Sequence, residues 1–152
     1  MGEERPDRMK RNGRQEDTVF EPAEKLYRRY QRVHFIGGLF SGMGLSFKNP
    51  PSVNRAKYSE ALDVVFSETD EWSKWGVLSF LVQQIPNALP AENPEYSFFP
   101  KHRPLENNYS HSEVHCNSWP ANGAYVEPKP AIRKLFRATL SQKIIVEVQS
   151  QI

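Results

Sequence analysis

Twelve prolines punctuate this chain of 152 residues, and they limit what it can fold into more than any other feature. Each fixes φ and removes a backbone donor, so helices and central strands have to fit between them. Pro50-Pro51 breaks the first half, and Pro86, Pro90, Pro94, Pro100 and Pro104 crowd a later stretch. Residues 86–108 therefore read as a long Pro-rich loop, with room for a short strand at 95–99. Loops of this length in compact domains are uncommon, and serve as flaps over a site or as surface wraps.

The segments between the breaks carry periodic patterns. Behind Pro22, the residues Leu26, Tyr30 and Val33 recur at helical spacing while Lys25, Arg28, Arg29 and Arg32 cover the other sides, which predicts a helix over 21–35. A strand is the competitor, because aromatic residues and Val favour sheets. The Gly-rich run 37–44 ends either one. Tyr58, Ala61, Leu62 and Val65 form one stripe of a second helix. Ser67 and Asp70 have capping-box spacing ahead of Trp72 and Trp75. Val77-Leu78-Ser79-Phe80-Leu81-Val82 is apolar on both alternating sets, the pattern of a strand covered on both faces, with a buried helix as the competitor. Residues 109–116 read as extended, and Pro120 with Asn122-Gly123 marks a turn. Pro130 opens a helix with Ile132, Leu135, Phe136 and Leu140 as its buried stripe, and Arg133, Lys134 and Arg137 outside it. A half-buried strand follows, in which Ile144, Val146 and Val148 alternate with Ile145, Glu147 and Gln149.

Helices and strands intermix here without a βαβ repeat. The expected fold is α+β, a single small domain over 19–152 with a mixed or antiparallel sheet and about three helices. Residues 1–18 hold five acids and five bases, and Met9 is their only large apolar side chain beyond the first residue. They are expected to be a disordered charged tail. Trp72, Trp75, Phe80, Phe98, Phe99 and Phe136 are the expected aromatic core, although an exposed Phe98-Phe99 pair in the Pro-rich loop would instead mark a partner surface.

Charge and cysteine content narrow the function classes. Twenty Lys+Arg against 18 Asp+Glu leave a formal +2, which removes the composition argument for a strongly basic nucleic-acid binder. No apolar run is long enough for a membrane helix. The start of the chain lacks the apolar core of a signal peptide, and Pro6 stands where a myristoylation signal needs Ser or Thr. The single cysteine, Cys116, permits no internal disulfide and suits a reducing compartment, so a cytoplasmic protein without membrane contact is expected.

Chemistry concentrates in Tyr109-Ser110-His111-Ser112-Glu113-Val114-His115-Cys116. On a helix His111 and His115 would share a face as a pair of zinc ligands does, but the nearby Pro, Asn and Ser residues favour a strand. On a strand, His111, Glu113 and His115 all face one way, and the two histidines stand about 13 Å apart at ~3.3 Å per residue, too far to share a metal. Glu113 between them would pair with one for general acid/base work, joined in space by His34 or His102. Adjacent strand residues face opposite ways, so His115 is badly placed to activate Cys116, which reads as a small buried hydrophobe. Gly37 and Gly42 have phosphate-loop spacing, but Met43-Gly44 stand where Lys and Ser/Thr are required. Amides around Ser41 and Gly42 could still cradle an anion. Arg28 and Arg32, with His34, are the candidate phosphate ligands, and a second basic group (Arg133, Lys134, Arg137, Lys143) would extend them if the two lay side by side. Two functions fit these residues. One is a binding or accessory module contacting protein or nucleic acid. The other is a small enzyme on a phosphate-containing substrate (a nuclease, phosphodiesterase or nucleotide-dependent transferase) that uses His111, Glu113 and His115.

Overall fold

The described residues of the segment 21–35 do not form the expected helix; Lys25–Gln31 are a strand. The computed structural model describes residues 6–31, 34–36, 39–40, 45–65, 74–121 and 123–150, and in it β1 (Lys25–Gln31) buries Leu26 and Tyr30 on one face. Positions four apart share a side on a helix and on a strand alike, so this spacing fits both. Tertiary pairing decides between them. All seven residues of β1 pair antiparallel with the apolar run expected as a strand, from Lys25↔Leu81 to Gln31↔Trp75. The close approach explains Gly76 opposite Tyr30, since a Cβ there would stand 2.5 Å from the tyrosine ring.

The remaining strands are β2 (Phe35–Ile36), β3 (Leu39–Phe40), β4 (Ser52–Arg55), β5 (Trp75–Leu81), β6 (Ala88–Leu89), β7 (Tyr96–His102), β8 (His111–Ser118) and β9 (Ile145–Val148). Seven of them make one sheet in the order β6-β7-β8-β4-β1-β5-β9, with every neighbouring pair antiparallel, and β2 pairs with β3 separately. Two α-helices occur among the described residues, α1 (Ala61–Val65) and α2 (Pro130–Ser141). The Ser67/Asp70 cap lies outside the described residues.

The main core gathers Leu26, Tyr30, Val53, Leu78, Phe80, Phe98, Val114 and Cys116 from the sheet. Against them lie Ile132, Phe136 and Leu140 of α2, with Leu45 and Phe47. Phe47, Phe98 and Phe136 meet with ring centroids 4.8–5.5 Å apart, the edge-on and tilted geometry aromatic rings favour. Leu135, expected in the buried stripe, is 40% exposed. A smaller cluster of Val64, Val65 and Val77 seats α1 beside β5, and Leu62 faces outward.

The expected Pro-rich loop over 86–108 is interrupted by two strands, β6 and β7, and Pro100 lies inside β7. Opposite Pro100, the Val114 N–H turns away to the Pro51 carbonyl (2.9 Å), so this pair is not hydrogen-bonded. The donor Pro100 lacks would point toward the sheet edge, past the end of β6, where no ladder bond is lost.

Of the expected tail over 1–18, the structure describes the later part. Residues 6–18 are placed against the sheet, while residues 1–5 lie outside the described ones. Met9 is fully buried, Arg8 grips Asp63 through two nitrogens (2.8 and 3.1 Å), and Arg14 lies over the Tyr109 ring (3.8 Å). The charges that suggested a solvated tail are engaged by residues 55 and 95 positions away.

Arg55 fastens this segment. Its guanidinium is inaccessible to solvent and donates to both Glu24 carboxylate oxygens (2.5 and 2.7 Å), the Asp17 carbonyl and the Val19 carbonyl (2.6 Å each). Asp17 in turn takes the Tyr58 hydroxyl (2.6 Å) and the Lys57 ammonium (3.0 Å), and these hold its carboxyl well below the usual range. Removing one partner of a buried ion pair costs about 3–5 kcal/mol because the other is left uncompensated. Arg55→Ala is therefore expected to lower the unfolding free energy by that amount in urea titrations; a loss under ~1 kcal/mol would show that the network is not structural.

His102, a possible member of the chemical site, belongs to the same region. Its Nδ1 accepts the Asp17 N–H (2.9 Å), so Nε2 carries the proton and donates to the Tyr109 carbonyl (2.6 Å). Burial, aided by Arg55, depresses its pKa against the pull of that carbonyl. The folded protein thus binds this proton less readily than the unfolded chain does. The stability His102 contributes is complete above the unfolded value of about 6.5 and is lost as pH falls below it toward the folded value. Melting temperatures measured between pH 7 and 5 should fall less steeply for His102→Gln than for the parent; equal slopes would refute this.

Candidate functional site: a basic cleft between parted strands

β1 and β4 pair only at Leu26↔Arg55 and Tyr27↔Asn54, although β1 continues along β5 to Gln31. Continued pairing would set Pro50 opposite Gln31, where the proline has no N–H to donate to the ladder. The strands part instead. Arg28 reaches into the gap and its Nη1 donates to the Ser52 carbonyl (2.7 Å).

The gap is a cleft of about 460 Å³ lined by Arg28, Arg29, His34, Ser46, Asn49, Ser52, Asn54, Trp75, Asn108 and His111, with Phe47, Pro50, Pro51 and Val64. Its described lining holds two arginines and two histidines and no carboxylate. Burial and the adjacent Arg29 bring the Arg28 guanidinium down to about 10, which leaves it charged at neutral pH. Arg29 stacks on Trp75 with 4.2 Å between guanidinium carbon and ring. His34 Nδ1 accepts the Gln31 N–H (3.1 Å), so its Nε2 bears the proton, and burial with Arg28 nearby lowers its pKa. His111 Nδ1 lies 2.8 Å from the Arg103 carbonyl, and its Nε2 3.3 Å from Ser52 Oγ.

A second cleft of about 400 Å³ is lined by Ser46, Lys48, Glu127, Pro130, Arg133 and Arg137. Its one carboxylate, Glu127, is held by Arg133 at 3.0 Å. Ser46 lines both clefts, so the basic residues of β1 and those of α2 meet there.

The expected site residues separate on this frame. His111, His34 and Arg28 line one cleft. Glu113 shares the alternating side of β8 with His111 but pairs with Arg103 (3.2 Å) instead of a histidine. His115 is buried between Phe99 and Tyr125 (5.1 and 5.5 Å), and its pKa is lowered by burial and then by Lys101 and Arg103. Neither Glu113 nor His115 lines the cleft. Arg32, Ser41 and Gly42 lie outside the described residues. Among the described residues no three His, Cys, Asp or Glu side chains come together as a metal site. Phe98 is buried and Phe99 half-buried, so the pair is not an exposed partner surface.

Ser52 was not recognised from sequence. It follows two prolines in no motif, and it meets His111 only because Ser52 pairs with Glu113 and Asn54 with His111 across β4 and β8.

No protein-family model, curated protein or solved structure matches this chain.

Cys116 is buried and its thiol is pushed up to about 12. A nucleophilic cysteine needs the thiolate. Iodoacetamide at pH 8 should leave the native protein unmodified and label Cys116 fully in denaturant; labelling of the native protein at the rate of a free thiol would contradict its burial.

Proposed function

We propose that this chain is a cytoplasmic binding module for a phosphate-bearing polyanion, with single-stranded nucleic acid as the partner its surface suits best. One observation carries the reading: two clefts lined by Arg28, Arg29, Arg133 and Arg137 adjoin at Ser46, and Glu127 is the only carboxylate among the described residues lining either. The small net charge is thus a poor guide to the local field, because the acids are spent elsewhere, in pairs such as Arg8–Asp63 and Arg55–Glu24. Backbone phosphates would lie along the arginines, and Trp75 and His34 offer rings beside them for stacking. No helix among the described residues is long and apolar enough to cross a membrane.

The alternative, an enzyme acting on a phosphate-containing substrate, draws support from the same cleft, where two histidines and two arginines line one cavity. Histidine next to bound phosphate can transfer protons at neutral pH. In this form of the proposal His111 takes the role first considered for the His111, Glu113 and His115 group. Glu113 would serve by neutralising Arg103.

Fluorescence anisotropy with a labelled single-stranded oligonucleotide tests the binding reading. With about four phosphate contacts, raising salt from about 50 to about 200 mM should weaken binding roughly 50-fold. The double substitution Lys48→Glu, Arg133→Glu should weaken binding by at least ~10-fold at low salt with little change in melting temperature. No binding at low salt, or binding indifferent to salt, would refute the proposal.

A further inference from the structure

We infer that Ser52 and His111 form a nucleophile–base pair acting on phosphate esters held in the cleft, an inference that rests on the phosphate-binding reading and adds a reaction to it. Three geometric features carry it. First, Ser52 Oγ and His111 Nε2 are 3.3 Å apart, within hydrogen-bond reach although the residues are 59 apart in sequence. Second, the other ring nitrogen of His111 faces the Arg103 carbonyl at 2.8 Å. A carbonyl can only accept, so in the neutral ring Nδ1 bears the proton and Nε2 presents its lone pair to the serine hydroxyl. The same carbonyl stabilises the imidazolium formed when Nε2 takes a proton, as an orienting third group does in nucleophilic sites. Third, Arg28 is anchored on the Ser52 carbonyl, which sets a guanidinium beside the nucleophile. Asn54, opposite His111 in the sheet, has its Oδ1 occupied by Asn108 and Ser110, which leaves its amide hydrogens as donors.

These placements define a balanced reaction. His111 Nε2 removes the Ser52 hydroxyl proton as Oγ attacks phosphorus. An Oγ–P bond forms, the bond from phosphorus to the leaving oxygen breaks, and the imidazolium returns its proton to that oxygen. Arg28 and the Asn54 amide meet the charge on the non-bridging oxygens. Water, deprotonated by the same imidazole, then attacks the phosphoserine, breaks the Oγ–P bond and regenerates the hydroxyl. Both side chains stand on strands, and their backbones are held by sheet pairing.

The test uses the full chain with p-nitrophenyl phosphate and bis(p-nitrophenyl) phosphate, following nitrophenolate release and mapping acid-quenched peptides by mass. Expected are turnover by the parent protein, a phosphoryl adduct on the peptide carrying Ser52, and loss of both in Ser52→Ala. His111→Gln should slow release by about 10²–10⁴-fold, the range of general acid–base catalysis. The exposed Ser52 hydroxyl contacts only the His111 ring among the described hydrogen bonds, so Ser52→Ala should fold, with a melting temperature close to that of the parent. Oligonucleotide binding is measured on the same samples, so that a loss of binding and a loss of turnover are read separately. If the parent binds oligonucleotide yet releases no more nitrophenolate than Ser52→Ala, or if the adduct maps elsewhere, the Ser52–His111 reaction is refuted and the binding reading stands. If the parent binds no oligonucleotide, the binding reading fails with it.

Discussion

The buried guanidinium of Arg55 is the constraint on which the rest of the structure depends. A charge taken out of water is tolerated only where its donors are satisfied and a counter-charge is close. Here both conditions draw in chain from far away: Glu24 just before β1, and the carbonyls of Asp17 and Val19 ahead of it. Meeting them brings the N-terminal segment onto the sheet. It also sets Asp17 where Tyr58, Lys57 and the His102 ring can bind to it or its backbone. One arginine on β4 thereby organises residues from the N-terminal segment, β7 and the segment leading into α1.

At the other end of β4 the constraint is of the opposite kind. Where Arg55 supplies donors, Pro50 has none to give, and the β1–β4 ladder stops after two pairs, short of it. In the wall of the resulting cleft Arg28, Ser52, Asn54 and His111 stand on strands. Side chains on paired strands are positioned more tightly than those on loops, which suits a site that has to hold a phosphate near a histidine. The price of parting two strands is unpaired backbone, and Arg28 reduces it by bonding the Ser52 carbonyl.

Several elements were legible in the sequence. The doubly apolar run became β5, the Pro130 start became α2, and the extended reading of 109–116 became most of β8. What was misread had a physical cause in each case. Leu26 and Tyr30, four apart, satisfy a helix and a strand equally, and the pairing with β5 that separates the two is not a local property. The prolines at 86–104 implied loop because a sequence does not show which side of a strand is open, and Pro100 lies on the open side. The charges of residues 6–18 implied disorder because their partners at 55, 63 and 109 are distant. Of the site, Arg28, His34 and His111 could be selected by residue type, whereas Ser52 carries no local signature. Glu113 was grouped with the histidines by sequence proximity, and Arg103 claims it in space.

The clamp at Arg55 reads backbone as much as side chains. At Val19 it uses only the carbonyl oxygen, and the Val19 side chain is 58% exposed. Drift of residue identity at this position would leave the contact intact, whereas inserting or deleting one residue between positions 17 and 24 would throw three acceptors out of register at once. Spacing, more than residue identity, is what the N-terminal segment must preserve.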